Sequence, residues 1–509
     1  MSVFKKLASD TALYGLSTIL PRLLNFFLVT LHTYVFKNPA ELSSNVVLYT
    51  YVAFLLAIYT FGLETAFFRA AARLKGPEHQ AERDKSFNET LTIVLIITVI
   101  CTVLIVGLAP QIAGWLDYRG QAQFVTWVAW LVAIDALMAI PFARLRVENR
   151  AKEFVGAKIV NVLLVVGLNV FFIVFCRDVA AGRYLTALQP IIQKFYDPTL
   201  GAGYIFLANL IANAFYFWLL RKTLWQFRPR LNKADAWVLV VYSFPLMLTT
   251  LAGLFNTLAD RALLGSFLPD GFYAGLTTKA AIGVYGNCYK LSVFMSIAIQ
   301  SFRYAADPFF FSRADDKDSP ALLARVTKWF VIVCVLIWVG VSLNLDLFGR
   351  LVSGPYRVGL VIVPILLLAN LFLGVYYNIS FWFKLSDKTV FGTYITLAGA
   401  ASTILLNILL IPQMGYMGCA VAFLISSVLM TGLCYYFGEK YYPVPYDLRS
   451  ASGYILGAGL LIIGASFVKI PNLWLSVSYH ALLFGAFSGI VAIVERDTLR
   501  PALTRLMKR

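Results

Sequence analysis

The stretch NVVLYTYVAFLLAIYTFGLETAFFR (45–69) is apolar for most of its length, yet carries Glu64 and Arg69 in its last turns. About 20 consecutive apolar residues let a helix cross the hydrocarbon core of a bilayer. The run is continuous and does not alternate, so it reads as a helix and not as a barrel strand. Composition extends that reading along the chain. Of 509 residues, 60% are hydrophobic and 14% charged, against about 25% charged in soluble proteins. An all-α polytopic membrane protein is expected.

Fourteen runs of this kind are legible: 10–36, 45–69, 86–109, 122–146, 154–176, 200–221, 235–266, 279–303, 327–346, 357–383, 390–411, 415–437, 450–469 and 473–494. MSVFKK leads into the first without a small-residue cleavage site, so that span is expected to stay in the mature chain. If the N-terminus is cytoplasmic, Lys and Arg favour the inside segments by about three to one, which predicts N-in and C-in. The net charge of +17 then reflects topology and attraction to anionic headgroups. No nucleic-acid motif accompanies it, so no nucleic-acid partner is expected. The six cysteines lack metal-like spacing and read as core residues.

An internal repeat is visible. VGLNVFFIV (166–174) in the fifth span matches ILLNILLIP (404–412) in the eleventh, placing Asn169 over Asn407. Each is preceded by a short charged turn and followed by a Gly-rich helix start. The chain thus divides into a six-span lobe at 1–225, a second at 226–442, and two additional helices with a basic tail at 443–509.

A charge in the bilayer centre costs at least about 2.5–3.5 kcal/mol, so such residues face a cavity or a partner. Arg22, Asp135 and Lys290 fall near the middle of their spans. Glu64, Arg69, Arg144, Arg303 and Asp307 fall toward the cytoplasmic ends, and Asp260 toward an outer end. Glu64 and Arg69 are separated by roughly 140° around a helix, so they are expected to meet different neighbours. Asn25 and Asn287 lie three residues from Arg22 and Lys290, giving each cation an amide near its own face. Pro21, Pro141, Pro245 and Pro364 are expected to kink their spans.

The stretches DTALYGLSTILPRLLNFFLV (10–29), YTYVAFLLAIYTFGLETAFFRAA (49–71), GVYGNCYKLSVFMSIAIQSFRYAADPFFFS (283–312) and GYMGCAVAFLISSVL (415–429) resemble bacterial polysaccharide transporters. These are O-antigen flippase-like members of the multidrug/oligosaccharidyl-lipid/polysaccharide exporter superfamily. The resemblance implies two six-helix bundles around a cationic cavity. It also implies passage of an undecaprenyl-diphosphate-linked oligosaccharide across the bacterial inner membrane, alongside a polysaccharide polymerase and chain-length machinery. Carried onto this chain, the resemblance gives the intramembrane cations Arg22, Arg69, Lys290 and Arg303 and the carboxylates Glu64 and Asp307. With the polar residues read from the spans themselves, the expected substrate-binding set is Arg22, Asn25, Arg69, Asn287, Lys290 and Arg303, and the expected gating or ion-coupling set Glu64, Asp135, Asp260 and Asp307.

No P-loop is present, so the driving force is expected to be a gradient, H+ or Na+, or consumption of the product. No cofactor or metal is expected. Three histidines without a motif do not support an enzyme. Two rival transporters stay open: a cation-coupled exporter of drugs or organic cations, which Asp135 suits, and a flippase for the peptidoglycan lipid precursor.

Overall fold

The computed structural model describes residues 19–24, 26–73, 77–311, 318–386, 388–468 and 470–496, with the backbone alone at 72, 73, 77, 304, 305, 307–309 and 311. These residues are helical nearly throughout and contain no strand. Thirteen helices among them are long and apolar enough to cross a membrane, and each coincides with an expected run. The first run appears as the shorter apolar helix Ile19–Val35. The chain is a multi-pass membrane protein.

The seventh span is one 35-residue helix, Lys233–Phe267. At 1.5 Å per residue it measures about 52 Å and outruns a hydrocarbon core of about 30 Å. Asn232 starts it, accepting the Ala234 amide at 3.1 Å, and so satisfies one of the donors left open at a helix N-terminus. The short thirteenth run forms the helix Leu448–Ser466.

The deciding stretch is not one helix. Ser43–Thr60 ends at Phe61, which is left-handed (φ 52°), and a second helix, Leu63–Arg73, begins after Gly62 (φ 73°). The break has a physical cause. A Cβ at Gly62 would lie 2.8 Å from the Ser243 carbonyl of the seventh span, so this position needs both a left-handed backbone and no side chain. Pro364 also differs from expectation. It occupies the first turn of Val363–Ile379, after a 3-10 segment at Gly354–Ile362, where its missing N–H interrupts nothing. Pro141, Pro245 and the unremarked Pro412 lie inside helices.

The chain forms two compact units, one of Met1–Gly286 with Thr403–Gly415, the other of Asn287–Ser402 with Tyr416–Arg509. In the first, the core gathers around Tyr59, Phe67, Phe87 and Phe206. The eighth span packs onto the start of the second: a Cβ at Gly283 would overlap the Pro39 carbonyl, and one at Gly286 the Val46 side chain. In the second unit, Trp382 is buried and donates from Nε1 to the Cys434 carbonyl at 3.0 Å. Its last two helices bury only 11% and 17% of their most apolar windows, which leaves their outer faces to lipid. All six cysteines are free thiols.

Lys328 ties those last helices to the ninth span. Its Nζ is 3.1 Å from Asp447 Oδ2 and 2.7 Å from Glu495 Oε1. Asp447 also accepts the Ser450 amide at 3.1 Å, capping Leu448–Ser466. Tyr454 donates to the buried Glu495 at 2.6 Å.

Candidate functional site

The first unit holds most of the intramembrane charge. Glu64 pairs with Arg146 of the fourth span, whereas Arg69 lies over the Tyr242 ring of the seventh, 4.9 Å from its centroid. The two residues of the opening stretch thus engage different helices, as their angular separation requires. Arg144 is buried and bonds Asp84 (2.7 Å) and Glu148 (2.6 Å), with the Phe87 ring 4.5 Å away. Such partners are what a buried guanidinium needs.

Asp135 sits in a polar network made by three spans. Asn213 donates to Asp135 Oδ1 at 2.8 Å, and Asn161 donates to Asn213 Oδ1 at 2.9 Å. Lys158, one turn before Asn161, lies 4.2 Å from the Phe142 ring centroid and within electrostatic reach of Asp135, Glu64 and Arg146. The charges therefore alternate in sign from Arg146 and Glu64 through Lys158 to Asp135. Sequence reading missed Lys158 because it stands near the basic end of its span and looks like topology. The amide spacing Asn209, Asn213 was the available signal.

A second buried network joins the seventh, eighth and eleventh spans. Asp260 is 3% exposed; it accepts the Tyr285 hydroxyl and, at 2.8 Å, the Arg261 amide. One turn earlier, Asn256 accepts Thr403 Oγ1 at 2.7 Å. Thr403 in turn supplies the carbonyl that accepts Asn407 Nδ2 at 2.8 Å, and Asn407 Oδ1 is buried without a hydrogen-bond partner. A buried oxygen left so is costly unless a ligand or water meets it.

Asn169 repeats this arrangement. It too is 0% exposed and donates to the carbonyl four residues earlier, Val165, at 2.8 Å. Its Oδ1 lies 2.8 Å from His32 Nε2. With Nδ2 already donating, Oδ1 is the acceptor and Nε2 the donor. His32 stands eleven residues after Pro21, and Asn256 eleven after Pro245.

In the second unit, Lys290 opens a 3-10 turn, Lys290–Ser292, that interrupts the eighth span between Thr278–Tyr289 and Val293–Phe311. Mid-helix 3-10 turns often mark functional hinges. The Lys290 side chain is exposed, and its Nζ is 3.4 Å from the carbonyl oxygen of buried Asn287. Arg303 lies 4.6 Å from the Tyr377 ring centroid. Arg22 is half-buried on Ile19–Val35. Asn25 and the Asp307 side chain lie outside the described residues.

The described residues thus form an all-helical multi-pass fold that holds amides and paired charges inside its spans, where each needs a partner or a polar cavity. No protein-family model matches the sequence, and no curated protein sequence does. Solved structures do. The lipid II flippase MurJ in an inward closed conformation is 15% identical, with 96% of this chain and 100% of that one covered and a TM-score of 0.72. An inward-facing multidrug resistance MATE family transporter of the MOP superfamily is 12% identical over 89% and 100%, with a TM-score of 0.55. The Vibrio cholerae MATE transporter VcmN is 14% identical over 89% and 98%, with a TM-score of 0.58. At these identities the likeness shows the fold alone, the one these flippase and transporter structures share.

Proposed function

We propose that this protein is a flippase of the bacterial inner membrane that carries a lipid-diphosphate-linked oligosaccharide from the cytoplasmic to the outer leaflet by alternating access, for surface polysaccharide assembly. The observation that carries the reading is Lys290: an exposed ammonium at a 3-10 break within an otherwise apolar span. A lipid diphosphate bears about two negative charges and can keep its tail in the bilayer, so a transporter for it needs cations inside the spans and tolerates few unpaired carboxylates. Arg22, Arg69, Lys290 and Arg303, with Asn25 and Asn287, are its proposed contacts. Glu64, Asp135, Asp260 and Asp307 are the proposed gating or ion-coupling groups, driven by H+ or Na+.

Supporting the repeat is the shared geometry of Asn169 and Asn407. On that basis the lobes are proposed at 1–225 and 226–442, with 443–509 as an addition and both termini inside. Polysaccharide polymerase and chain-length machinery are the proposed partners.

Deletion of the protein in its host is the test. Accumulated lipid-linked oligosaccharide and lost surface polymer, both reversed by wild type and not by Lys290→Ala, support the reading. The likeness to the lipid II flippase favours a second reading, transport of the peptidoglycan precursor. Its signature is cell-wall arrest with normal surface polymer. Normal polymer and cell wall, with sensitivity to organic cations, points to a drug exporter.

A further inference from the structure

A charged cavity lies in the first unit, about one turn along the first and fifth spans from the His32–Asn169 bond. It has a volume of about 440 Å3 and is lined by Tyr34 and Lys37 at the end of the first span, Glu41, Arg177 and Asp178 at the end of the fifth, and Arg183 in the following loop. Binding sites for small groups start at about 300 Å3. Three cations face two carboxylates, so the cavity is net positive.

The ion pairing inside it is incomplete. Arg183 Nη1 donates to Asp178 at 2.8 Å, and Arg177 Nη1 donates to the Val35 carbonyl at 3.2 Å, with Glu41 in electrostatic reach. Lys37 has no carboxylate within ion-pair distance among the described residues. A guanidinium has five N–H donors, so one bond each leaves donors on Arg177 and Arg183 for a ligand. The first span's end and Arg177 are fixed to one another through Val35. Just before Arg177 the helix opens into a π turn, Phe171–Cys176, a distortion common at functional sites.

Position identifies the ligand's body. Tyr34 and Tyr184 are 47% and 40% exposed beside the cavity, and Tyr184 lies 6.3 Å from the Phe175 ring. Exposed tyrosines at the ends of spans mark the headgroup level of a bilayer. We propose that this cavity binds the phosphate of an anionic lipid, a phosphate or diphosphate carried on a hydrocarbon chain. On the N-in orientation it faces the outer leaflet, where the source is either bulk anionic phospholipid or the lipid diphosphate that the proposed function delivers.

The test is native mass spectrometry of the full-length protein in detergent, with phosphatidylglycerol, phosphatidylcholine or undecaprenyl diphosphate added singly. Wild type is expected to retain the two anionic lipids over phosphatidylcholine. Lys37→Gln/Arg183→Gln is expected to weaken that retention about thirtyfold, the loss of two headgroup-level cations. Lys152→Gln/Lys222→Gln, which removes exposed cations elsewhere, is expected to change nothing. If the first double variant fails to fold, Lys37→Gln alone serves, because that side chain is exposed. Preference for undecaprenyl diphosphate assigns the site to transported lipid, and equal retention of both assigns it to bulk phospholipid. Unchanged retention in the Lys37 variants, or equal retention of phosphatidylcholine by wild type, overturns the proposal. Binding is read without transport, so either result leaves the flippase reading to its own test.

Discussion

Asn213 of the sixth span donates to Asp135 of the fourth at 2.8 Å, and Asn161 of the fifth holds Asn213 in turn. A chain of two hydrogen bonds through Asn213 thus links three spans. Asp135→Ala leaves the Asn213 amide without its acceptor and is expected to destabilise the protein by about 1–3 kcal/mol. Asp135→Asn keeps the shape and is expected to cost less. Thermal denaturation in detergent measures both. If Asp135 is also an ion-coupling group, Asp135→Asn loses gradient-driven transport despite its retained stability.

Glu64 and Arg146 form a pair whose side chains are 43% and 35% exposed. A double-mutant cycle with Glu64→Gln and Arg146→Gln is expected to give a coupling of about 0–1 kcal/mol in stability. A much larger coupling in transport rate than in stability marks the pair as part of the transport cycle. Equal couplings mark it as structural.

Gly62→Ala places a methyl group 2.8 Å from the Ser243 carbonyl on a backbone with φ 73°. Both the left-handed conformation and the overlap oppose it, so a loss of about 1–3 kcal/mol is expected in denaturation. Gly114→Ala, where a Cβ meets nothing within 4 Å, is the control and is expected to be near neutral.

Lys328 carries both carboxylates that anchor the last two helices. Lys328→Ala leaves Glu495 buried without its cation, and a loss of about 3–5 kcal/mol is expected. Asp447→Ala removes an N-cap and is expected to cost about 0.5–2 kcal/mol. Hydrogen bonds from Ser450, aided by Lys328, hold the Asp447 carboxyl down at about 2. Its folded value is below its unfolded one, so its stabilisation is present above about pH 4 and is lost as the pH falls toward 2. Proteolytic release of the C-terminal helices, followed against pH with an acid-active protease, reads that loss, and Asp447→Asn is expected to abolish the dependence.

Much of the fold was legible because hydrophobic run length alone sets span number in a membrane, and the runs at 235–266 and 450–469 were readable by that rule despite their unusual lengths. The local distortions were not. The break at Gly62 depends on Ser243, 181 positions away in sequence, and the 3-10 turn at Lys290 and the π turn before Arg177 leave no periodic mark. Site residues divide the same way. Asp135 and Asp260 stood out as carboxylates in apolar runs, but Asn213, Tyr285 and Thr403, which bond to them or beside them, are ordinary residues until packing brings their helices together.

The central claim is tested most directly by reconstitution. Purified protein is placed in vesicles with a fluorescent lipid-diphosphate-linked oligosaccharide in both leaflets, the outer sugars are trimmed by an impermeant glycosidase, and the trimmed fraction is followed in time. Wild type is predicted to carry trimming from about half of the substrate to nearly all of it, and Lys290→Ala to stay near half. Trimming that stops near half with active, folded wild type, under an imposed H+ or Na+ gradient of either direction, contradicts the account.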